Sequence, residues 1–305
     1  MRDTTGVGSL PHRDPAEAAR LAAACSVPYL PQLPGRHPEE GMVRQWGDGL
    51  CGCGPGDEPG GLRAGAPVGP REEAFVAAAA ALDLLAGTAP PLVKTQATGP
   101  ITLAVALRAA GHGGSALWEC VVGGLTSRIA GHLAEIHRRL PGSQTLVVID
   151  EPALTAVTPG DRSAAAALDA LGAVIAAVSG ADVGVHCCGD TVWGEVAGLG
   201  AGWLSMDVGA LGPGFAAGVP AVAEAVSAGT RIIWGAVPVE SPPLPSTGSL
   251  VARVRRVEEA LVLAGADLRS LDRAVLSPAC GLAGLSPDAA AGVVRRLDEM
   301  AEVMA

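Results

Sequence analysis

Three side chains able to bind a metal follow one another in VGVHCCGD, residues 183–190: His186, Cys187 and Cys188. The run before them is rich in β-branched residues and reads as a strand. Residues two apart in a strand share a face, so His186 and Cys188 can converge on one ion while Cys187 points into an outer layer. Two further donors end runs of the same kind, Asp207 in LSMD and Cys280 in LSPACGL. One imidazole, two thiolates and one carboxylate make a tetrahedral set compatible with zinc. Two thiolates leave such an ion electron-rich, poor for hydrolysis and suited to ionising an incoming thiol, which then attacks as a thiolate. The competing reading has His186 as a strand-end histidine and the cysteines as small buried hydrophobes.

These donors lie far apart in sequence, so the fold must gather them. Eight short Val/Ile/Leu-rich runs read as strands: 5–9, 27–32, 92–98, 145–150, 182–188, 202–207, 231–237 and 274–280. Between them lie amphipathic stretches at 15–25, 71–86, 117–140, 162–179, 216–227, 250–264 and 287–304, with a short helix at 191–199 before the sixth strand. Alternation of this kind predicts an α/β fold with parallel strands. Eight units in one chain predict a (β/α)8 TIM barrel, a single domain over residues 1–305. GVGSLP after the first strand carries no GxGxxG, which argues against a dinucleotide-binding sheet. In a barrel, function lies at the C-terminal strand ends. Those ends are Ser9, Gln32, Gln96 with Thr98, Asp150 with Glu151, His186 with Cys188, Asp207 and Cys280. The Gly/Pro-rich stretch 34–67 is too long for an ordinary connection and is expected to be a lid-like or flexible insertion after the second strand. Its Cys51 and Cys53 read as loop cysteines.

Composition narrows the function classes. The formal charge is −10 and no basic stripe occurs, which argues against a nucleic-acid partner. No stretch approaches the roughly 20 apolar residues of a membrane span. MRDTTGVGSLPHRD lacks a basic region followed by an apolar one, so a cytoplasmic location is expected. In that compartment seven cysteines, two of them adjacent, suit thiolate or metal chemistry better than disulfides.

Taken together, HxC, SMD and SPACGL, with VGSLP near the start, QATGPIT at 96–102 and IDEPAL at 149–154, resemble the C-terminal catalytic barrel of cobalamin-independent methionine synthase. The wider group includes uroporphyrinogen decarboxylases. The resemblance spans essentially the whole chain and implies a zinc-dependent methyltransferase acting on a thiol, homocysteine above all, to give methionine. It implies His186, Cys188 and Cys280 as zinc ligands, with Asp207 where the family carries a glutamate. It implies Asp150 as the acid receiving the substrate ammonium, and Gly8 with Ser9 as the segment holding its carboxylate.

The chain departs from that pattern in two places. A tryptophan follows the family's GPxT beside the folate ring; here Ala106 stands there, so the expected donor is a methylcorrinoid, methylcobalamin or a corrinoid protein, in place of folate. The family's DMVE-like segment is matched by GMVR, and Arg44 would favour a carboxylate or sulfonate on the substrate, unless Glu39 or Glu40 takes the acid's place. Gln96 and Thr98 are expected to hydrogen-bond substrate or the groups behind it. Lys94 shares their strand face and either points inward or sits at the barrel bottom. Glu151 is expected in a structural salt bridge, His112, His132 and His137 in solvated positions, His12 near the mouth, and Trp203 and Trp234 packed against helices. The rival readings are a metal-free decarboxylase-like lyase and a non-catalytic zinc- or corrinoid-binding relative.

Overall fold

The computed structural model describes residues 1–55, 62–64, 72–114, 116–158, 160–239 and 243–305. In chain order the helices are α1 (Pro15–Ala23), α2 (Met42–Gly47), α3 (Val76–Leu85), α4 (Pro100–Ala109), α5 (Leu117–Arg139), α6 (Arg162–Ala177), α7 (Trp193–Ala197), α8 (Pro213–Ser227), α9 (Thr247–Leu263), α10 (Leu268–Leu271) and α11 (Pro287–Val303). A short antiparallel pair, β1 (Cys53–Pro55) and β2 (Leu62–Ala64), precedes six strands: β3 (Leu92–Thr98), β4 (Gln144–Asp150), β5 (Asp182–Cys187), β6 (Trp203–Asp207), β7 (Arg231–Val237) and β8 (Val275–Pro278). These six form one parallel sheet in sequence order. No described helix is long and apolar enough to cross a membrane.

The expectation of eight strands is corrected to six. Where the first two were expected, the chain is extended but makes only isolated bridges, Thr4 to Leu276, Ser9 to Gln32 and Tyr29 to Lys94. Pro28 and Pro31 lack the N–H a continuous ladder needs. The bonds that remain still join the sheet edges to this pair of segments: Thr5 N–H to Leu276 O at 2.9 Å, Gln32 N–H to Gly8 O at 3.1 Å, and Leu30 N–H to Lys94 O at 2.9 Å.

Register sets what faces inward. Thr98 pairs with Asp150, Asp150 with His186, and His186 with Ser205, so the Asp150 and Ser205 strands flank the histidine. Lower down, Leu146, Val148, Trp203, Ile233 and Val275 form a separate apolar plug. Trp203 therefore packs inside the sheet rather than against helices, and Gly184 leaves room for it, since a Cβ there would meet Trp203 Cβ at 3.0 Å. Trp234 faces the other way and donates to Glu258 in α9 at 2.9 Å. The larger core lies between sheet and helices, where α5 buries Val121, Leu125, Ile129, Leu133 and Ile136 at helical spacing.

Helix α4 was not evident in the sequence because GPITLAVAL is apolar without strong periodicity. Pro100 at its first turn and a carboxylate supplied from elsewhere start it. That carboxylate is Glu151, which accepts from Ile101 N–H at 2.6 Å, Thr102 N–H at 2.9 Å and Thr102 Oγ1 at 2.7 Å. Glu151 is thus a helix cap in place of the expected salt-bridge partner. Gly99 permits the approach: a Cβ there would fall 2.2 Å from the Glu151 carboxyl carbon.

Of the 34–67 insertion, the described part packs closely. Glu40 is buried and accepts from Leu33 N–H at 2.5 Å, Ala77 N–H at 3.2 Å and the Arg36 guanidinium at 2.9 Å. Thr98 Oγ1 donates to Met42 O at 2.7 Å, and the Arg128 guanidinium donates to Trp46 O and Asp48 O. Cys51 is joined to Cys120 of α5 by a disulfide, contrary to the expectation of free loop cysteines. The two lie 69 residues apart, a pairing that spacing alone does not reveal. The Cys53 side chain and residues 56–61 and 65–67 lie outside the described structure.

Candidate metal and acceptor site

At the C-terminal ends of β5 and β8, His186, Cys188 and Cys280 bring one donor atom each to within 4.8 Å of one another. His186 ends the inward row of β5, and Cys188 follows where the chain leaves the strand. Cys280 comes two residues after β8. The imidazole is oriented from behind: its Nδ1 lies 2.9 Å from Ser205 Oγ, while its buried Nε2 has no hydrogen-bond partner. A buried ring nitrogen left open beside two sulfurs fits a divalent metal, with the serine fixing the ring. The sulfurs are coupled as well. The Cys280 thiol beside it holds Cys188 below the usual thiol range, and the same contact pushes Cys280 up to about 12.

Asp207 is not in this group. Its Oδ1 accepts Gly209 N–H at 2.8 Å, a short Asx-type turn that the side chain of an aspartate can close on itself. The carboxylate still reaches Cys188 electrostatically, raising its pKa. The three donors gathered among the described residues are therefore His186, Cys188 and Cys280.

They form one side of a cavity of about 300 Å³. Asp150 and Pro152 line it from β4, Val7, Ser9 and Gln32 from the two extended segments, and Pro34, Glu40 and Met42 from the insertion. Asp150 is buried, with Oδ1 making no hydrogen bond, and burial raises its pKa against the opposing influence of His186 and Lys94. An open carboxylate oxygen in such a place is a cation acceptor. Gly281 sits against Ser9, whose Oγ would be 2.1 Å from a Cβ at 281.

Other expected site residues take supporting places. Gln96 is buried and donates from Nε2 to Leu30 O at 2.9 Å. Gly8 packs on it, a Cβ at 8 falling 2.5 Å from the Gln96 amide carbon. Thr98 anchors Met42, as described above. None of these three lines the cavity. Arg44 does not line the cavity, and its Nε lies 3.8 Å from Asp48 Oδ2 one helical turn on. Glu40, weighed as an alternative acid, does line the cavity, but its oxygens already have donors. His132 is corrected too. Its ring packs edge-on against Trp46 with centroids 5.7 Å apart and Nε2 lies 3.0 Å from Thr95 Oγ1, and burial pushes its pKa down to about 4. Lys94 points inward, buried, with Nζ donating to Val7 O at 2.6 Å.

Residues 122–303, more than half the chain, match the family described as "Cobalamin-independent synthase, Catalytic domain". The chain belongs to that family. The matched span contains all three donors of the site as well as Asp150 and Asp207. Membership in a cobalamin-independent family gives no support to the expected methylcorrinoid donor. Among solved structures, a methyltransferase from Methanosarcina mazei aligns over 98% of this chain and 94% of its own, with a TM-score of 0.57 and 16% identity, a likeness of fold. Comparison with curated proteins yields no match.

Proposed function

We propose that this protein is a zinc-dependent thiol S-methyltransferase, with homocysteine as acceptor and methionine as product. The observation that carries the reading is the unpartnered His186 Nε2 set beside two cysteine thiols, at the wall of a cavity that also holds an open carboxylate. His186, Cys188 and Cys280 would hold the ion. When bound, zinc supplies the Lewis acidity that lets an acceptor thiol ionise near neutral pH.

The rest falls to the chain itself. Asp150 receives the acceptor's ammonium, and the backbone around Ser9 faces its carboxylate. Ser205 keeps the His186 ring in one orientation, so that the metal-binding nitrogen faces the cavity. The Glu40–Met42 segment roofs the cavity and limits water, which would otherwise solvate and blunt a thiolate nucleophile. In the transfer, a sulfur–carbon bond forms as the bond between methyl and donor breaks, its electron pair leaving with the donor. The donor is an electrophilic methyl compound that departs without its methyl group, and the acceptor's thiol proton passes to solvent. The metal-free lyase reading is less favoured, since among the described residues no arginine or lysine lines the cavity.

Metal analysis of protein purified without a polyhistidine tag is the first test, with about one zinc per chain expected in the wild type and loss of it in Cys188→Ser. Methionine formation from homocysteine, followed by mass detection with sulfonium, folate and corrinoid methyl donors, is the second. A folded, metal-free wild type overturns the reading. A zinc-loaded protein that transfers no methyl from any donor favours the non-catalytic zinc-binding reading.

A further inference from the structure

Lys94 is the chain's single lysine and one of its most completely buried large side chains. Its Nζ donates to one carbonyl, Val7 O at 2.6 Å. It shares a closed interior gap with Asp150, His186, Ser205 and Ser277, directly beneath the cavity that Asp150 and His186 also line. Burying an ammonium this deeply is costly unless something nearby uses the charge. Burial lowers its pKa to about 8, so it remains cationic at neutral pH.

Two features of the cavity depend on that ammonium. The first is the backbone at Val7–Ser9: Val7 and Ser9 line the cavity, and the lysine draws the Val7 carbonyl inward while Gly8 packs on Gln96. The second is Asp150. Its carboxylate is buried with one oxygen unpartnered, and Lys94 lies on its interior side, opposite the opening through which a ligand would reach it. A buried anion that must wait for a cationic ligand is stabilised by a positive charge behind it.

We propose that Lys94 is a positioning residue for the acceptor: it supplies the counter-charge behind Asp150 and fixes the Val7–Ser9 backbone, so that the cavity selects thiols carrying an ammonium group. The proposal rests on the thiol-acceptor reading above. It goes further in assigning selectivity for the ammonium to a side chain that touches neither acceptor nor metal.

Calorimetric titration of the zinc-loaded protein with L-homocysteine and with 4-mercaptobutyrate, which lacks only the amino group, tests it. In the wild type homocysteine binds more tightly. Lys94→Gln, which keeps a donor for Val7 O without the charge, is expected to weaken homocysteine about tenfold while leaving 4-mercaptobutyrate and the zinc content unchanged. Lys94→Met, which removes the donor as well, is expected to weaken homocysteine further and to weaken 4-mercaptobutyrate to a lesser degree through the Val7–Ser9 backbone. Lys94→Arg restores part of the preference. If Lys94→Met does not fold, the Gln and Arg pair carries the comparison. Equal weakening of both thiols, or none, in the charge-removing variants overturns the proposal and leaves the acceptor reading standing. Failure of homocysteine to bind the zinc-loaded wild type removes both.

Discussion

Ser205 Oγ and His186 Nδ1 lie 2.9 Å apart on paired strands, and this contact decides which histidine nitrogen faces the cavity. The residues are register partners across β5 and β6, so the hydrogen bond follows from strand pairing. Ser205→Ala is expected to leave the fold intact and to weaken metal binding about tenfold to a hundredfold, the usual cost of removing an orienting partner. Competition against a chromophoric chelator reads this out, and unchanged affinity would show that the ring needs no such support.

The coupled thiols give metal binding a pH dependence. Cys280 is shifted up to about 12, so its thiol keeps its proton through the neutral range. A metal that needs this group as a thiolate must displace that proton, so affinity rises with pH, by about tenfold per unit for each proton released. Calorimetry in buffers of differing ionisation enthalpy counts the protons. A pH-independent affinity between 6 and 8 contradicts that release.

His132 stores a stability effect of opposite origin. Its folded pKa, near 4, lies below the ordinary value of 6.5, so the unfolded chain binds more protons between these limits. Stability from this group is complete above about pH 6.5 and is lost as pH falls toward 4. His132→Phe keeps the ring packing against Trp46 and Phe75 and removes the titration. Denaturant melts across that window are expected to show a flatter pH profile in the variant.

The Cys51–Cys120 bond ties the cavity's roofing segment to α5. Cys51→Ser, or reduction, is expected to lower stability by about 2–4 kcal/mol. Alkylation of the unreduced, denatured protein should leave both cysteines unmodified, and labelling of either refutes the pairing.

The grouping of His186, Cys188 and Cys280 was legible in the sequence because strand geometry has a period of two. HxC at one strand end and a cysteine at another define a face and an end of the fold before any coordinate is known. The six parallel strands were legible too, as β-branched runs separated by amphipathic stretches. Helix α4 was not, since its start depends on Glu151, some 50 residues away. Nor was the disulfide, whose partners meet only when the insertion folds onto α5.

Sequence by itself thus determined the alternation of strand and helix, the inward row of β5 and three side chains with donor atoms at strand ends, because these follow from local periodicity and side-chain chemistry. Tertiary structure decided the rest. It closed Asp207 onto its own turn, turned Arg44 to Asp48, set Lys94 behind Asp150 and left Nε2 of His186 open. Each of those outcomes depends on which polar partner, near or far in sequence, comes within hydrogen-bond or ion-pair reach in the packed chain, and that choice has no signature in local pattern.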